Sequence, residues 1–268
     1  MTLDIQGHRG ARGHLPENTL PAFALGIELG VTTLELDVGI TRDDVVVVHH
    51  DRRLNPDLAR GPDGEWVRSP APTLHSLSYE ELHRYDVGRI RPGSDYERRF
   101  PAQQPIDGTR IPRLADLFEL ARKTPVRFNI EMKLLPSHPE ETLPPEPFAH
   151  AVIAEVRRHA MAGRSMLQSF DWRAVKAVER EAPELATAYL TEARDSVVQK
   201  VREAGAKIWV PDHRALTRAV LDEAHASGMR VVAWTVNEPR DIARLIAWGV
   251  DGIISDYPDR VLAETRAR

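Results

Sequence analysis

The strongest constraint on the fold is an alternation that runs along most of the chain. Short apolar runs fall at Leu3–Gly7, Thr33–Val38, Val126–Met132, Ser165–Ser169, Ala186–Leu190, Lys207–Val210, Arg230–Thr235 and Gly252–Ser255. Between them lie longer amphipathic stretches such as "TLPAFALGIELG", "IPRLADLFELARK", "PFAHAVIAEVRRHA", "WRAVKAVEREA", "ALTRAVLDEAHASG" and "PRDIARLIAWG". The short runs suit strands, and the longer stretches carry apolar residues at helical spacing. Several of those stretches open near Pro or end in Gly, as helix boundaries should. Eight strand candidates joined by helical connections predict an α/β fold of the (β/α)8 TIM-barrel type, and 268 residues is a suitable length for one. A doubly wound open sheet uses the same alternation. The barrel is favoured because polar residues gather at the C-terminal ends of so many strand candidates.

One segment breaks the rhythm. After Asp51 a long stretch rich in Pro, Gly, Arg and Asp intervenes before the next helical pattern, with one short helical piece, "SYEELHRY". Residues 1–268 are expected to form a single barrel domain, with 52–112 inserted after a hairpin that follows the second strand. An insertion in a βα connection lies at the end of a barrel where active sites are built, so it is expected to shape or cover the pocket.

Composition removes several classes of function. A formal net charge of −4 gives no broad basic face for nucleic acid. The chain has no cysteine, which excludes disulfides, thiolate metal sites and cysteine nucleophiles. Absence of disulfides fits a reducing compartment. "MTLDIQGHRG" enters a strand pattern at once, without a charged-then-apolar leader, and no run is long enough to span a bilayer. A cytoplasmic protein without stable membrane insertion is the expectation.

The stretch "TTLELDVGI" poses the chemical question. On a strand, Glu35 and Asp37 share one face while Leu34, Leu36 and Val38 share the other. Two like charges side by side on a buried strand cost stability unless something positive lies between them. "RFNIEMK" repeats the oddity, with Glu131 and Lys133 on one face between Ile130 and Met132. Three carboxylates at the mouths of neighbouring strands suit a hard divalent cation, Mg²⁺ or Ca²⁺ rather than zinc. His8 and Arg9 arrive at the end of the first strand, and "TRDDVVVVHHD" ends in His49, His50 and Asp51. Strand alternation leaves one inward place for the two adjacent histidines. Glu17 is a candidate partner for His8 or Arg9, and Asn18 a candidate cap for the first helix. Histidines, cations and a divalent metal together suit phosphate-ester chemistry, with the cationic groups neutralising phosphoryl oxygens and His8 and His50 moving protons. Neither a Gly-rich nucleotide loop nor a serine-hydrolase elbow is present.

In order, "GHRGARGHLPENTLPAF", "ELDVGITRDDVVVVHHD", "IPRLADLFEL", "NIEMK", "QSFDW", "VVAWTVN" and "GVDGIISDYPD" resemble the glycerophosphodiester phosphodiesterase family over nearly the whole chain. The resemblance implies a (β/α)8 barrel with an insertion after the second strand's hairpin. It implies metal ligands at Glu35, Asp37 and Glu131, an acid–base pair at His8 and His50, and phosphate contacts at Arg9 and Lys133. Trp234 matches an aromatic residue lining the glycerol pocket. The family motif usually has one His before the Asp, where this chain reads "HHD"; the role is assigned to His50, directly before Asp51, and His49 is expected to face away.

The reaction so implied is metal-dependent hydrolysis of a glycerophosphodiester to glycerol 3-phosphate and an alcohol. The glycerol 2-hydroxyl attacks phosphorus, and water then opens the cyclic phosphate. A lysophospholipase D acting on a lipid phosphodiester in the same site is the alternative, and would need an apolar groove. The charged and polar insertion favours small, deacylated substrates. A catalytically dead barrel that binds phosphodiesters or a partner protein is a third reading, against which both histidines and all three acids speak.

Overall fold

In the computed structural model, which describes residues 2–192 and 197–267, eight parallel strands close into a barrel. The strands among the described residues are β1 (Asp4–Gly7), β2 (Thr33–Ile40), β3 (Val46–Val48), β4 (Arg127–Met132), β5 (Ser165–Ser169), β6 (Ala186–Thr191), β7 (Ile208–Pro211), β8 (Arg230–Ala233) and β9 (Gly252–Ser255). The hydrogen-bonded order runs β1-β9-β8-β7-β6-β5-β4-β2, and β1 also pairs with β2. That pairing closes the ring and removes the doubly wound sheet from consideration. β3 lies outside the ring, antiparallel to the C-terminal end of β2, with Val38 opposite Val48. It occupies the side of β2 that β1 leaves after Leu34.

Helices α1 (Leu20–Leu29), α4 (Leu114–Leu120), α5 (Pro145–Arg158), α6 (Trp172–Glu181), α7 (Val197–Glu203), α8 (Arg218–Ala226), α9 (Pro239–Trp248) and α10 (Pro258–Arg266) follow the barrel strands. Between α1 and α4, the insertion carries α2 (Tyr79–Leu82) and α3 (Asp95–Arg99). Pro stands in the first turn of α1, α5, α9 and α10, where its missing N–H is not needed. α1 and α9 end on Gly30 and Gly249 in the left-handed conformation. The cap of α1 is Thr19, whose hydroxyl accepts from Ala22 N–H. Asn18 therefore does not cap the helix; it adopts a positive φ of 55° and reaches Asp37 instead.

Strand alternation divides the core into two shells. Leu34, Leu36, Val38, Phe128, Ile130 and Met132 point outward and pack under Phe23, Phe118, Phe148 and Val152 of the helices. A second cluster joins Val231, Ala233 and Ile253 to Leu221, Ile242, Leu245 and Val261. The barrel interior is unequal around its circumference. From β6 to β9 it is filled by Ala188, Leu190, Val210, Val232 and Ile254. At β1, β2 and β4 it is polar: Gln6 donates to Asp4, Asn129 donates to Gln6, and Thr33 and Arg127 both donate to Asp4. Asp4, Gln6, Thr33 and Asn129 are buried, and Arg127 at the edge of the network is exposed.

The insertion has a small core of its own, built on Leu54, Leu74, Leu82 and Ile111 and reached from the barrel by Val47 of β3. Several contacts fasten it to the turn between β1 and α1, among them the Arg12 guanidinium 4.6 Å over the Phe100 ring. The Tyr96 hydroxyl donates to Glu17, the Gln103 amide donates 2.7 Å to the Arg12 carbonyl, and Gln104 N–H donates 2.8 Å to the His14 carbonyl.

Candidate active site

The polar half of the barrel opens at the C-terminal ends of the strands, the face where TIM barrels assemble their sites. A cavity of about 510 Å³ lies there, lined by His8, Arg9, Glu35, His50, Glu131, Lys133 and Trp234 among others. Of the eight residues expected to serve as acid–base pair, metal ligands or substrate contacts, Asp37 alone does not line it; Asp37 is 1% exposed. Strand register explains the convergence. Asp37 of β2 is level with Glu131 of β4, which is level with Gln168 of β5. Carboxylate oxygens of Glu35, Asp37 and Glu131 lie within 4.8 Å of one another, and all three residues are buried.

This cluster is electrostatically incomplete by itself. Burial, then Asp37 and Glu131, push the Glu35 carboxyl well above the usual carboxylate range. Burial also drives Glu131 up to about 7, with Lys133 opposing and Asp37 reinforcing. Asp37 is the exception: burial would raise it, but Arg9, His50 and Lys133 hold it far below the usual range. Its Oδ1 has no hydrogen-bond donor although it is buried, because the Lys133 ammonium stands 3.6 Å away. The other oxygen accepts 2.9 Å from the Asn18 amide. A buried orphaned carboxylate oxygen among three converging acids fits an oxygen-coordinated divalent cation.

Two histidines flank the cluster, each held by a carboxylate on Nδ1. His8 Nδ1 donates 2.6 Å to Asp256, and its Nε2 lies 3.8 Å from Glu35. His50 Nδ1 donates 2.6 Å to Asp51, which is also held by Asn55 at 2.8 Å. Desolvation, then Arg12, lower His8 to about 4, although Asp256 acts in the opposite sense. His50 is lowered by burial and then by Arg9 and Lys133. His49 is buried, lies outside the lining of this cavity, and leaves Nε2 without a partner.

The cations are placed by the chain rather than by solvent. Arg9 sits at φ 50°, next to Gly10 at φ 91°. That turn brings Arg9 N–H to Glu35 at 3.1 Å and the guanidinium to Glu17 at 2.6 Å. Lys133, just past β4, donates 2.6 Å to Glu131. Leu134, Leu135, Pro136, Phe170 and Trp234 add apolar lining to the same cavity, and the Lys133 ammonium stands 5.9 Å from the centre of the Phe170 ring. The Trp234 ring meets Phe170 edge-on at 5.4 Å and its N–H is fixed 3.0 Å from the Val210 carbonyl.

Sequence reading missed Asp256, Arg12, Asn237, Gln168 and Phe170. Arg12 and Asn237 converge on Asp256, and Gln168 donates 3.2 Å to Glu35. All five lie within the motifs of the family resemblance, but nothing local marks Asp256 as the partner of His8, 248 positions away.

Comparison with known proteins converges on one family. The model of the glycerophosphoryl diester phosphodiesterase family matches residues 8–260. A glycerophosphodiester phosphodiesterase of Caldanaerobacter subterraneus is 28% identical over 96% of each chain. The human lysophospholipase D GDPD1 is 25% identical over 95% of this chain and 83% of its own. A solved Silicibacter pomeroyi protein, assigned as a glycerophosphoryl diester phosphodiesterase, is 36% identical and superposes with a TM-score of 0.94, covering 99% of this chain and 94% of that one. An Oleispira antarctica phosphodiesterase, solved with the product sn-glycerol-3-phosphate, shares the fold at 22% identity and a TM-score of 0.77, over 97% of this chain and 96% of that one. With a family match that begins at His8, on the first strand's exit, and ends beyond Asp256, this chain belongs to the glycerophosphoryl diester phosphodiesterases, enzymes that hydrolyse phosphoric diesters.

Proposed function

We propose that the cavity hydrolyses a glycerophosphodiester to glycerol 3-phosphate and an alcohol, with His8 and His50 as the acid–base pair. The observation that carries this reading is the pair of carboxylate-held histidines lining one cavity with Glu35 and Glu131, two of the three buried, converging acids. Glu35, Asp37 and Glu131 would hold a divalent cation, Mg²⁺ or Ca²⁺. When bound, such an ion supplies positive charge that acidifies a hydroxyl and polarises a phosphoryl oxygen.

The remaining work falls to the side chains. Arg9 and Lys133 neutralise phosphoryl oxygens and hold the diester in line for attack. One imidazole takes the proton of the glycerol 2-hydroxyl as its oxygen bonds to phosphorus. The other gives a proton to the departing alcohol oxygen. Water then opens the cyclic phosphate with the two histidines in exchanged roles, which restores both protonation states. Trp234 and Phe170 offer apolar surface to the carbon skeleton and limit water around it. His8→Ala and His50→Ala are each expected to lose turnover on the order of 100-fold or more, with unchanged circular dichroism. Near-wild-type turnover in both would remove the mechanism.

A second substrate class has specific support. The wall formed by Leu134, Leu135 and Pro136 comes from the exit of β4, not from the polar insertion, and offers a lysolipid the apolar surface that the sequence reading looked for in the insertion. Named lysophospholipase D relatives belong to the same comparison. Turnover of lysophosphatidylcholine against glycerophosphocholine, measured side by side, ranks the two.

A further inference from the structure

We propose that Asp256 is a positioning residue that fixes the tautomer and orientation of His8. What His8 then does rests on the function proposed above; how it is held does not.

Asp256 follows β9, on the neighbouring strand to β1 in the closed ring. A carboxylate can only accept, so the 2.6 Å contact places the imidazole proton on Nδ1 and leaves the Nε2 lone pair free in the neutral ring. Nε2 is the nitrogen on the cavity side, 3.8 Å from Glu35. The opposite tautomer would put a proton where a base must have none.

The carboxylate is itself held with little freedom. Arg12 donates to both oxygens, at 2.7 Å from Nε and 3.1 Å from Nη2. The Asn237 amide donates 2.7 Å to Oδ2, while its carbonyl oxygen accepts 2.9 Å from Asp256 N–H. Backbone contacts complete the clamp: His8 N–H donates to the Ser255 carbonyl and Gly13 N–H to that of Asp256, both at 2.9 Å. Asp256 is 2% exposed. Burial alone would favour its neutral form, but Arg12 and then His8 keep it ionised. His50 provides an internal comparison, for it has the same Nδ1 contact to Asp51, whose side chain is 36% exposed and lies among fewer donors. A charge-assisted hydrogen bond in a dry, fully connected network constrains its partner more than one open to water.

The simpler alternative is that Asp256 only neutralises Arg12. The two differ in whether its effect passes through His8. The test uses the full chain with Mg²⁺ or Ca²⁺ present and glycerophosphocholine as substrate. Asp256→Asn is expected to lower kcat by on the order of 100-fold with KM little changed, as for loss of a properly oriented general base. In a His8→Ala background the same substitution should cost no more than about 2-fold, because the two act as one unit. Nitrogen-15 NMR of the histidine side chains should show His8 protonated on Nδ1 in the wild type and shifted toward the other tautomer in Asp256→Asn. Should Asp256→Asn fail to fold, Asp256→Glu, which retains the acceptor, should keep the Nδ1 proton and recover part of kcat. Losses that multiply in the double variant, or a His8 tautomer indifferent to position 256, would overturn the proposal. If the wild type turned over no diester, the functional reading would fail while the tautomer measurement still decided the role of Asp256.

Discussion

Glu35, Asp37 and Glu131 are placed against the grain of stability: three buried acids converge, and Asp37 Oδ1 has no hydrogen-bond donor. The strain is confined to the cluster, because the residues on the opposite faces of the same strands are fully buried and apolar. Glu35 has a folded-state pKa above its unfolded one, so at neutral pH it costs stability that an uncharged isostere would not. Glu35→Gln is therefore expected to match or exceed the wild-type melting temperature in EDTA. It should also lose most of the rise in melting temperature that Mg²⁺ or Ca²⁺ gives the wild type. A variant that melts well below wild type without metal would contradict this. Asp256 has the opposite sign. Its folded pKa is depressed, so its contribution is complete above an unfolded value of about 3.9 and fades as pH falls below that. Asp256→Asn, which leaves the buried Arg12 with only the more distant Glu17, at 3.8 Å, as counter-charge, should cost about 3–5 kcal/mol at pH 7. Urea melts of both proteins should show that gap narrowing between pH 5 and pH 3; a gap independent of pH would refute the linkage.

At the scale of elements, the turn from β1 to α1 carries most of the site's precision. Gly10, at φ 91°, packs so closely that a Cβ there would lie 2.6 Å from the Ala22 backbone. Gly10→Ala is expected to destabilise the fold by about 2 kcal/mol or more and to lower turnover by displacing His8 and Arg9. The insertion is tied to the same turn through Tyr96 and Glu17, and Glu17 in turn holds Arg9. Tyr96→Phe should raise KM several-fold while leaving kcat nearly intact, and should speed proteolytic cleavage within 85–110; unchanged KM and proteolysis would mean that the clasp is incidental. Strands were the most legible elements, since apolar runs bounded by polar ends admit few other readings; Ser165–Ser169 and Gly252–Ser255 occupy the spans expected for them. α7 escaped sequence reading because "VVQKVRE" carries a β-branched pair and only packing makes it a helix. α10 escaped because "VLAETR" offers little apolar periodicity. α3 is five residues long with no buried member, so nothing in its pattern announces it.

For the whole molecule, ring closure is what turns separate motifs into one site. The metal-type acids could be read from strand alternation on β2 and β4, because two residues on one face is a local property. The clamp on His8 could not, since it exists only once β9 pairs with β1. The two halves of the barrel interior divide the labour. The apolar half, built on Leu190, Val210, Val232 and Ile254, supplies rigid packing. In the polar half, Gln6, Thr33 and Asn129 link hydrogen bonds down to Asp4, while Asp37 Oδ1 and Asn129 Oδ1 stay without a donor. Among the described residues no helix is long and apolar enough to cross a membrane. The cavity is lined by cationic and apolar side chains together, a mixture that suits a phosphodiester carrying carbon on its esterified oxygens.

The central claim is tested most directly by incubating the protein with glycerophosphocholine or glycerophosphoethanolamine in Mg²⁺, Ca²⁺, Mn²⁺ or EDTA and measuring glycerol 3-phosphate with a coupled dehydrogenase. Release that requires a divalent cation and stops with EDTA is the predicted result. Release that persists undiminished in EDTA, or no release with any of the three cations, would contradict the account.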